Sequence, residues 1–170
     1  LALRNFMEFK RRNLALLLLS ARESVMANFR PTLKAFGLTD QQWRILRALN
    51  SAGEMEAGQL ADTCKILSPS LTGILSRMLA QGLICRAWST VDQRRSIISL
   101  SPEGEALVAR VQPKVEERYE HIEVVLGDQR MQALYEMLDE ILMLLPLDGD
   151  VEQDEEEAKP ARKRSKASAK

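Results

Sequence analysis

The sequence predicts a mainly α fold with a small β component (α+β), in which a winged helix-turn-helix lies between longer helices. Hydrophobic residues make up 45% of the 170 residues, and they recur in Leu-rich segments at the three- and four-residue spacing of helices. Two short helical segments with a brief connection lie between residues 57 and 80. Two short strand-like segments follow them directly, and this order is typical of a winged helix-turn-helix.

Charge is unevenly distributed along the chain. The 24 basic and 24 acidic side chains cancel overall. Residues 1–55 nevertheless hold nine basic and four acidic residues, whereas residues 102–147 hold four basic and ten acidic residues. This separation predicts an anionic partner on one side of the protein.

Cysteine, histidine and hydropathy patterns exclude several classes of protein. Cys64 and Cys85 form no CxxC motif, and His121 is the single histidine, so we expect no metal site and no cofactor. One histidine also gives no basis for a Ser/His/Asp or Cys/His catalytic site, so we do not expect an enzyme. The longest apolar run, residues 14–19, has six residues, whereas about 20 span a bilayer. We therefore expect a cytoplasmic protein without a membrane partner.

The first predicted helix begins after Asn13 and carries one apolar face. Proline lacks a backbone N–H, so Pro31 predicts a kink or interruption near Arg30. Gly37 predicts the end of the helix.

The second predicted helix has a clear amino-terminal signal. Thr39-Asp-Gln-Gln42 matches a capping box, and Leu38 and Trp43 occupy the two positions of a hydrophobic staple. The segment Glu54–Glu56 then predicts a short link. Residues 57–65 predict a helix of about two turns with a weak N-cap.

The segment Ser68–Gly82 predicts an amphipathic helix with an unusual polar face. Ser68 is predicted as its N-cap, Pro69 as its first residue and Gly82 as its stop. Its apolar stripe comprises Leu71, Ile74, Leu75, Met78 and Leu79. Its opposite arc carries Ser70, Thr72, Gly73, Ser76 and Arg77. Small residues, hydroxyls and one cation favour close approach to the DNA major groove, although a plain solvated face is the alternative.

Residues 83–88 and 96–100 predict the strands of a hairpin, and residues 89–95 a charged loop at its tip. Ser101-Pro102-Glu103 then predicts the start of a long helix with a bend at Pro113. Asp128 is predicted to cap a last helix that ends at Pro146. Residues 148–170 change from acidic to basic and predict disorder.

This order of elements, together with two motifs, resembles the MarR family of transcription regulators over residues 13–145. The motifs are Asp92-Gln-Arg-Arg95 and Leu100-Ser-Pro-Glu-Gly104. Three further segments resemble a subgroup that represses aromatic catabolism. They are Phe29-Arg-Pro, Gly37-Leu-Thr-Asp-Gln-Gln-Trp-Arg44 and Pro69-Ser-Leu-Thr-Gly73.

The resemblance implies a homodimer that binds double-stranded DNA at a pseudo-palindromic operator. It also implies release from DNA by an aromatic or phenolic carboxylate bound between the dimerisation and DNA-binding parts. The chain then divides into four segments: an amino-terminal dimerisation region (1–38), the winged helix-turn-helix (39–101), carboxy-terminal dimerisation helices (102–147) and a charged tail (148–170).

The predicted DNA contacts lie on the polar-faced helix and in the wing. Ser68 and Ser70 can reach phosphate from the helix start, and Gly73 permits close approach. The resemblance implies that Arg94 or Arg95 reaches the minor groove or its phosphates while Asp92 orients it; an ordinary surface ion pair is the alternative. The full prediction is Ser68, Ser70, Thr72, Gly73, Ser76, Arg77, Asp92, Arg94 and Arg95.

The predicted effector site needs an apolar slot and a donor for a carboxylate, for which arginine is best suited. Arg22, Arg30, Trp43 and Arg47 are assigned to it. Two alternatives stay open, because Trp43 also serves the staple and Arg22 could pair with an acid on the last helices.

Two other functions also fit the sequence. One is a regulator of the same family that responds to a drug-like phenol or an oxidant. The other is a winged-helix adaptor that binds proteins and not DNA.

Overall fold

The computed structural model describes residues 11–88 and 95–145. In these ranges the order of elements is α1 (Leu14–Ala35), α2 (Asp40–Ala52), β1 (Glu54–Glu56), α3 (Ala57–Cys64), α4 (Ser68–Ala80), β2 (Ile84–Trp88), β3 (Ser96–Leu100), α5 (Pro102–Leu126) and α6 (Asp128–Leu144). The chain divides into two compact units, residues 1–122 and 123–170. The predicted fold class is confirmed.

The first unit is organised around a core shared by the helix-turn-helix and the sheet. Its most deeply buried side chains are Leu33, Ile45, Leu46, Leu49, Leu60, Met78, Ile98 and Val111. Burial of each such side chain stabilises the fold by about 1.5–3 kcal/mol. The core thus fixes α4 from one side and leaves its other side exposed.

Helix α1 begins where the sequence predicts. The Asn13 side chain accepts a hydrogen bond from the Leu16 N–H at 2.9 Å. The predicted interruption near Arg30 is wrong, because α1 continues through Pro31 to Ala35. Phe29 and Leu33, near the end of the helix, pack into the core and hold this last part in helical form.

Helix α2 has the predicted capping box. The Gln42 N–H donates to the Thr39 hydroxyl at 3.2 Å, and the Thr39 N–H donates to the Gln42 side chain at 3.0 Å. Leu38 and Trp43 are both 6% exposed in the same core cluster. The predicted staple positions are therefore both part of the core.

The prediction of a plain link at Glu54–Glu56 is wrong, because these residues form β1. The three-stranded sheet has the order β1-β3-β2 and is antiparallel throughout. Met55 pairs with Ile98 across β1 and β3. Three residues with two acids carry too little alternation to predict a strand, so only pairing with β3 defines it.

Helix α4 buries the predicted stripe, but its start differs from the prediction. Ser68 is not the N-cap: it is the first helical residue, Leu67 occupies the cap position and no side chain caps the helix. The Ser68 carbonyl oxygen accepts a hydrogen bond from the Thr72 hydroxyl. The predicted stop is confirmed, because Gly82 follows the helix with φ +69°.

The start of α5 explains the Leu-Ser-Pro-Glu-Gly motif. The Ser101 hydroxyl accepts from the Gly104 N–H at 3.0 Å and donates to the Gly82 carbonyl, which confirms the predicted cap. A Cβ on Gly104 would collide with the backbone carbonyl of Leu83. Glycine is required here because α5 approaches the segment that leaves α4 so closely.

The second unit contains the end of α5 and α6. The predicted cap at Asp128 is displaced by one residue, because Gly127 with φ +80° occupies the cap position and Asp128 begins α6. Exposed apolar side chains here include Val124, Val125, Leu142, Met143 and Leu144.

In residues 11–88 and 95–145, no helix has the length and apolar character needed to cross a bilayer. The predicted functional boundaries at residues 38, 101 and 147 assign roles to segments, so they stay predictions. The predicted disorder of residues 148–170 lies outside the described residues.

Candidate functional site

Helix α4 presents the predicted polar face to the outside. Ser68, Ser70, Thr72, Ser76 and Arg77 are all exposed, whereas Leu71, Ile74, Leu75 and Met78 are at most 3% exposed. Arg77 is the single charged residue of the helix. The exposed positions of α4 thus include every member of the predicted polar arc except Gly73.

Gly73 lies half-buried in the middle of that face. A Cβ added there would meet only the Arg77 Nη1 atom, at an ordinary contact distance of 3.7 Å. The protein therefore has room for a larger residue at this position, and its own packing does not explain the glycine.

Two hydroxyls of the face are bonded along the helix. The Thr72 hydroxyl donates to the Ser68 carbonyl at 3.2 Å, and the Ser76 hydroxyl donates to the Thr72 carbonyl at 2.9 Å. Such bonds to the preceding turn fix the orientation of the side chains.

Asp92 and Arg94 lie outside the described residues, so their predicted roles stay predictions. Arg95 is described and forms an ion pair, with its Nη1 atom 3.1 Å from the Glu56 carboxylate. Because Glu56 occupies the N-cap position of α3, this pair joins the base of the wing to the helix-turn-helix.

Strand β2 carries a pair of residues that the sequence analysis did not single out. The Arg86 guanidinium lies 5.2 Å from the centre of the exposed Trp88 ring and also donates to the Ser96 hydroxyl at 3.2 Å. The two residues are separated by one position, which is the spacing of neighbours on one face of a strand and is the signal that could have found them.

A cleft of about 190 Å³ opens between α2 and α5. Trp43 and Arg47 line it from α2, one helical turn apart. The other wall comes from α5 and includes Val108, Gln112, Val115 and Glu116. The cleft thus combines an aromatic ring, apolar side chains, one cation, one carboxylate and neutral polar side chains.

Tyr119 completes the polar environment of Arg47. Its hydroxyl accepts from the Arg47 Nη1 atom at 3.2 Å, and its ring packs 4.7 Å from the Phe29 ring centre. No local sequence pattern links Tyr119 to Arg47, because 72 positions separate them and only the fold brings them together.

Arg22 and Arg30 are not brought to this cleft. Arg22 pairs with Glu23 at 2.6 Å and with Asp40 at 3.2 Å, and Arg30 pairs with Glu23 at 2.5 Å. The hydrogen bond from Arg30 lowers the pKa of Glu23. The pairs with Glu23 lie within α1, and the pair between Arg22 and Asp40 joins α1 to the start of α2.

Cys64 is 4% exposed at the end of α3. Burial raises the pKa of its thiol and disfavours the reactive thiolate. Within the described ranges, no group of three or more His, Cys, Asp or Glu side chains could hold a metal ion.

Comparison with known proteins decides the family. Residues 36–95 match the family model described as MarR family. The homoprotocatechuate degradative operon repressor of Escherichia coli is 46% identical over 132 residues, which cover 78% of this chain and 89% of that relative. The chain belongs to the MarR family.

Two solved MarR-family structures have the same fold. The structure of NadR in complex with 4-hydroxyphenylacetate is 42% identical and has a TM-score of 0.69, covering 79% of this chain and 95% of that one. The transcriptional repressor CouR bound to a 23-mer DNA duplex is 28% identical and has a TM-score of 0.71, covering 76% and 92%.

These similarities confirm the two resemblances that the sequence motifs predict, to the MarR family and to a subgroup that includes repressors of aromatic catabolism. They favour a DNA-binding transcription regulator over a winged-helix adaptor that binds only proteins. The buried thiol of Cys64 gives no support to an oxidant-responsive regulator.

Proposed function

We propose that this MarR-family regulator represses an aromatic-catabolic operon and leaves its operator when it binds an aromatic or phenolic carboxylate. The observation that carries the proposal is the pairing of two surfaces on one compact unit. The exposed face of α4 suits a DNA groove, and the α2–α5 cleft suits a small aromatic acid.

The DNA contacts are assigned to α4 and the wing. An α-helix fits the major groove, and its amino-terminal residues reach base edges in helix-turn-helix proteins. Ser68 and Ser70 lie at that end, and no side chain occupies the first N–H groups, which can therefore bind phosphate. Arg77, Asp92, Arg94 and Arg95 complete the proposed site.

Gly73 supports the same assignment. Glycine in a helix interior costs about 1 kcal/mol relative to alanine. Because the protein has room for a Cβ there, close approach of the DNA backbone or a base edge accounts for its use.

The effector site is assigned to Trp43, Arg47 and Tyr119. Arg47 would bind the carboxylate and exchange its contact with Tyr119 for a charged partner, because charge-assisted hydrogen bonds are stronger than neutral ones. Trp43 and Val115 would contact the aromatic ring. NadR, which binds 4-hydroxyphenylacetate, supports this chemical class.

A homodimer is proposed as the DNA-binding form. Leu14 and Leu19 on α1 are 55% and 54% exposed, and the second unit exposes a further set of apolar side chains. A second copy would bury both surfaces, and its symmetry matches a pseudo-palindromic operator.

The test begins with selection of operator sequences from random DNA duplexes by the full-length chain. We expect an inverted repeat with half-site centres about 34–36 Å apart. Addition of 4-hydroxyphenylacetate should then lower operator affinity in a fluorescence anisotropy assay. Selection of no sequence would refute DNA binding, and unchanged affinity with several aromatic acids would refute the effector class.

A further inference from the structure

We propose that Gln42 and Arg44 of α2 are positioning residues for the DNA-binding helix α4: Gln42 holds its carboxy-terminal end, and Arg44 holds the turn that precedes it. Gln42 contacts the residue that ends α4, and Arg44 contacts the turn that precedes it. The inference rests on the proposed use of α4 in DNA binding, and it adds two residues that do not touch DNA themselves.

Gln42 acts at the carboxy-terminal end of α4. Its side-chain N–H donates to the Gln81 side-chain oxygen at 3.0 Å, and Gln81 is the C-cap of α4. The Gln42 oxygen already accepts from the Thr39 N–H and hydroxyl, at 3.0 and 3.1 Å. Both ends of this amide are therefore used, and its orientation is fixed.

Gln42 is only 6% exposed, although glutamine is usually a surface residue. A buried amide is costly unless its polar atoms are hydrogen-bonded, so loss of the Gln81 contact would leave a donor without a partner. The geometry therefore favours one position of the α4 end relative to α2.

Arg44 acts at the other end, beneath the turn of the helix-turn-helix. Its Nη1 atom donates to the Cys64 carbonyl at 2.6 Å. Cys64 is the last residue of α3, and Lys65 adopts a left-handed conformation with φ 49° directly after it. A cation at a helix carboxy terminus compensates carbonyls that have no partner inside the helix.

The Arg44 guanidinium is incompletely satisfied. Its Nε atom is buried and has no hydrogen-bond partner among the residues that the structure describes. A buried donor without a partner lowers stability, and this offsets part of the stability that the Cys64 contact contributes. Through its contact with the Cys64 carbonyl, Arg44 is proposed to hold the turn before Ser68 and Ser70 in place.

Helix α2 thus contacts the C-cap of α4 from position 42 and the last residue of α3, four positions before α4, from position 44. The same helix lines the effector cleft with Trp43 and Arg47. Positions 42 and 44 thus serve α4, and positions 43 and 47 serve the cleft, within fewer than two turns of one helix.

The experiment compares variants of the full-length chain for affinity to the selected operator and to a random-sequence duplex. Gln81→Leu changes an exposed residue, so it should fold, and Gln42→Leu removes the other partner. We expect each to lower operator affinity about ten-fold, which corresponds to the loss of one hydrogen bond, with random-duplex affinity unchanged. The double variant should be no weaker than the weaker single variant.

Arg44→Met should lower operator affinity by a similar factor, and Arg44→Lys, which keeps a cation and a donor, should restore most of it. Gln41→Leu is the matched control, because Gln41 is the neighbouring glutamine on α2 and its side chain makes no hydrogen bond to α4 among the residues that the structure describes. Thermal unfolding of every variant measures stability separately from DNA affinity.

A purely structural role predicts a different pattern. If Gln81→Leu and Arg44→Lys fold and both Gln variants bind operator as tightly as the unchanged chain, the proposal is overturned. Equal loss for operator and random DNA, or strictly additive losses for Gln42 and Gln81, would also overturn it. If the unchanged chain selects no operator, the proposed DNA-binding function has failed before this inference is reached.

Discussion

The α4 face and the α2–α5 cleft are built in opposite ways. The α4 face comes from residues within one 13-residue helix, and its contacts are local bonds such as that from Ser76 to Thr72. The cleft joins α2 to α5, and its polar contact links Arg47 to Tyr119 across 72 positions. One surface is a property of a helix, and the other is a property of the packed fold.

This difference in construction follows from the functions proposed for the two surfaces, DNA binding for the α4 face and effector binding for the cleft. A DNA-binding face must protrude, so one helix with a well-packed back is sufficient. A small-ligand cleft must surround its ligand, so it needs walls from separate elements. Changes to α4 should therefore act on DNA alone, whereas changes to the cleft should act on the effector first.

The largest expected effect is on the cleft. Arg47→Met keeps much of the apolar stem and removes the cation, so affinity for 4-hydroxyphenylacetate should fall about 100-fold, as expected for loss of a charge-assisted contact. Isothermal titration calorimetry measures it, and operator affinity should stay unchanged. Arg22→Met is the control; an equal loss there would move the effector site to the α1 ion pairs.

The next effect is on the α4 face. Arg77→Ala should weaken operator binding about ten-fold and reduce the slope of log affinity against log salt by about one. Effector affinity should not change. Arg110→Ala removes an exposed arginine of α5 for comparison, and a similar salt effect from it would show that binding reflects overall charge and not this face.

A smaller effect separates contact from packing in the cleft. Tyr119→Phe removes the hydroxyl that Arg47 contacts but keeps the ring that packs on Phe29. Because the effector carboxylate is proposed to replace this contact, its loss should raise effector affinity about five-fold, as about 1 kcal/mol for one hydrogen bond implies. A loss as large as that of Arg47→Met would instead place the hydroxyl in direct contact with the effector.

The smallest expected effect concerns Cys64. Burial raises its pKa, so the thiol form is favoured in the folded protein; the corresponding stability is present below the ordinary thiol pKa and is lost as pH rises through the raised value. Between pH 7 and 9, iodoacetamide should modify exposed Cys85 well before Cys64, as peptide mass spectrometry can show. Equal rates of modification at Cys64 and Cys85 would instead favour a regulator that responds to oxidants through Cys64.

The extent of prediction from sequence follows the same division. The capping box at Thr39, the buried stripe of α4 and the cap at Ser101 are local patterns, and the structure has all of them. Strand β1 was missed because only pairing with β3 defines it. Arg22 and Arg47 were predicted to share the effector site, but only Arg47 lines the cleft. Ion pairs with Glu23 and Asp40 hold Arg22 at the junction of α1 and α2.

The hydroxyls of Thr72 and Ser76 limit which bases α4 could contact in the proposed DNA complex. Each hydroxyl donates its hydrogen to a carbonyl of the preceding turn, so its oxygen can act only as an acceptor toward a partner outside the protein. Lone pairs match amino groups, which adenine and cytosine present in the major groove, and they repel phosphate oxygens. If Arg77 donates to guanine, as proposed, one short helix would offer both donors and acceptors to base edges.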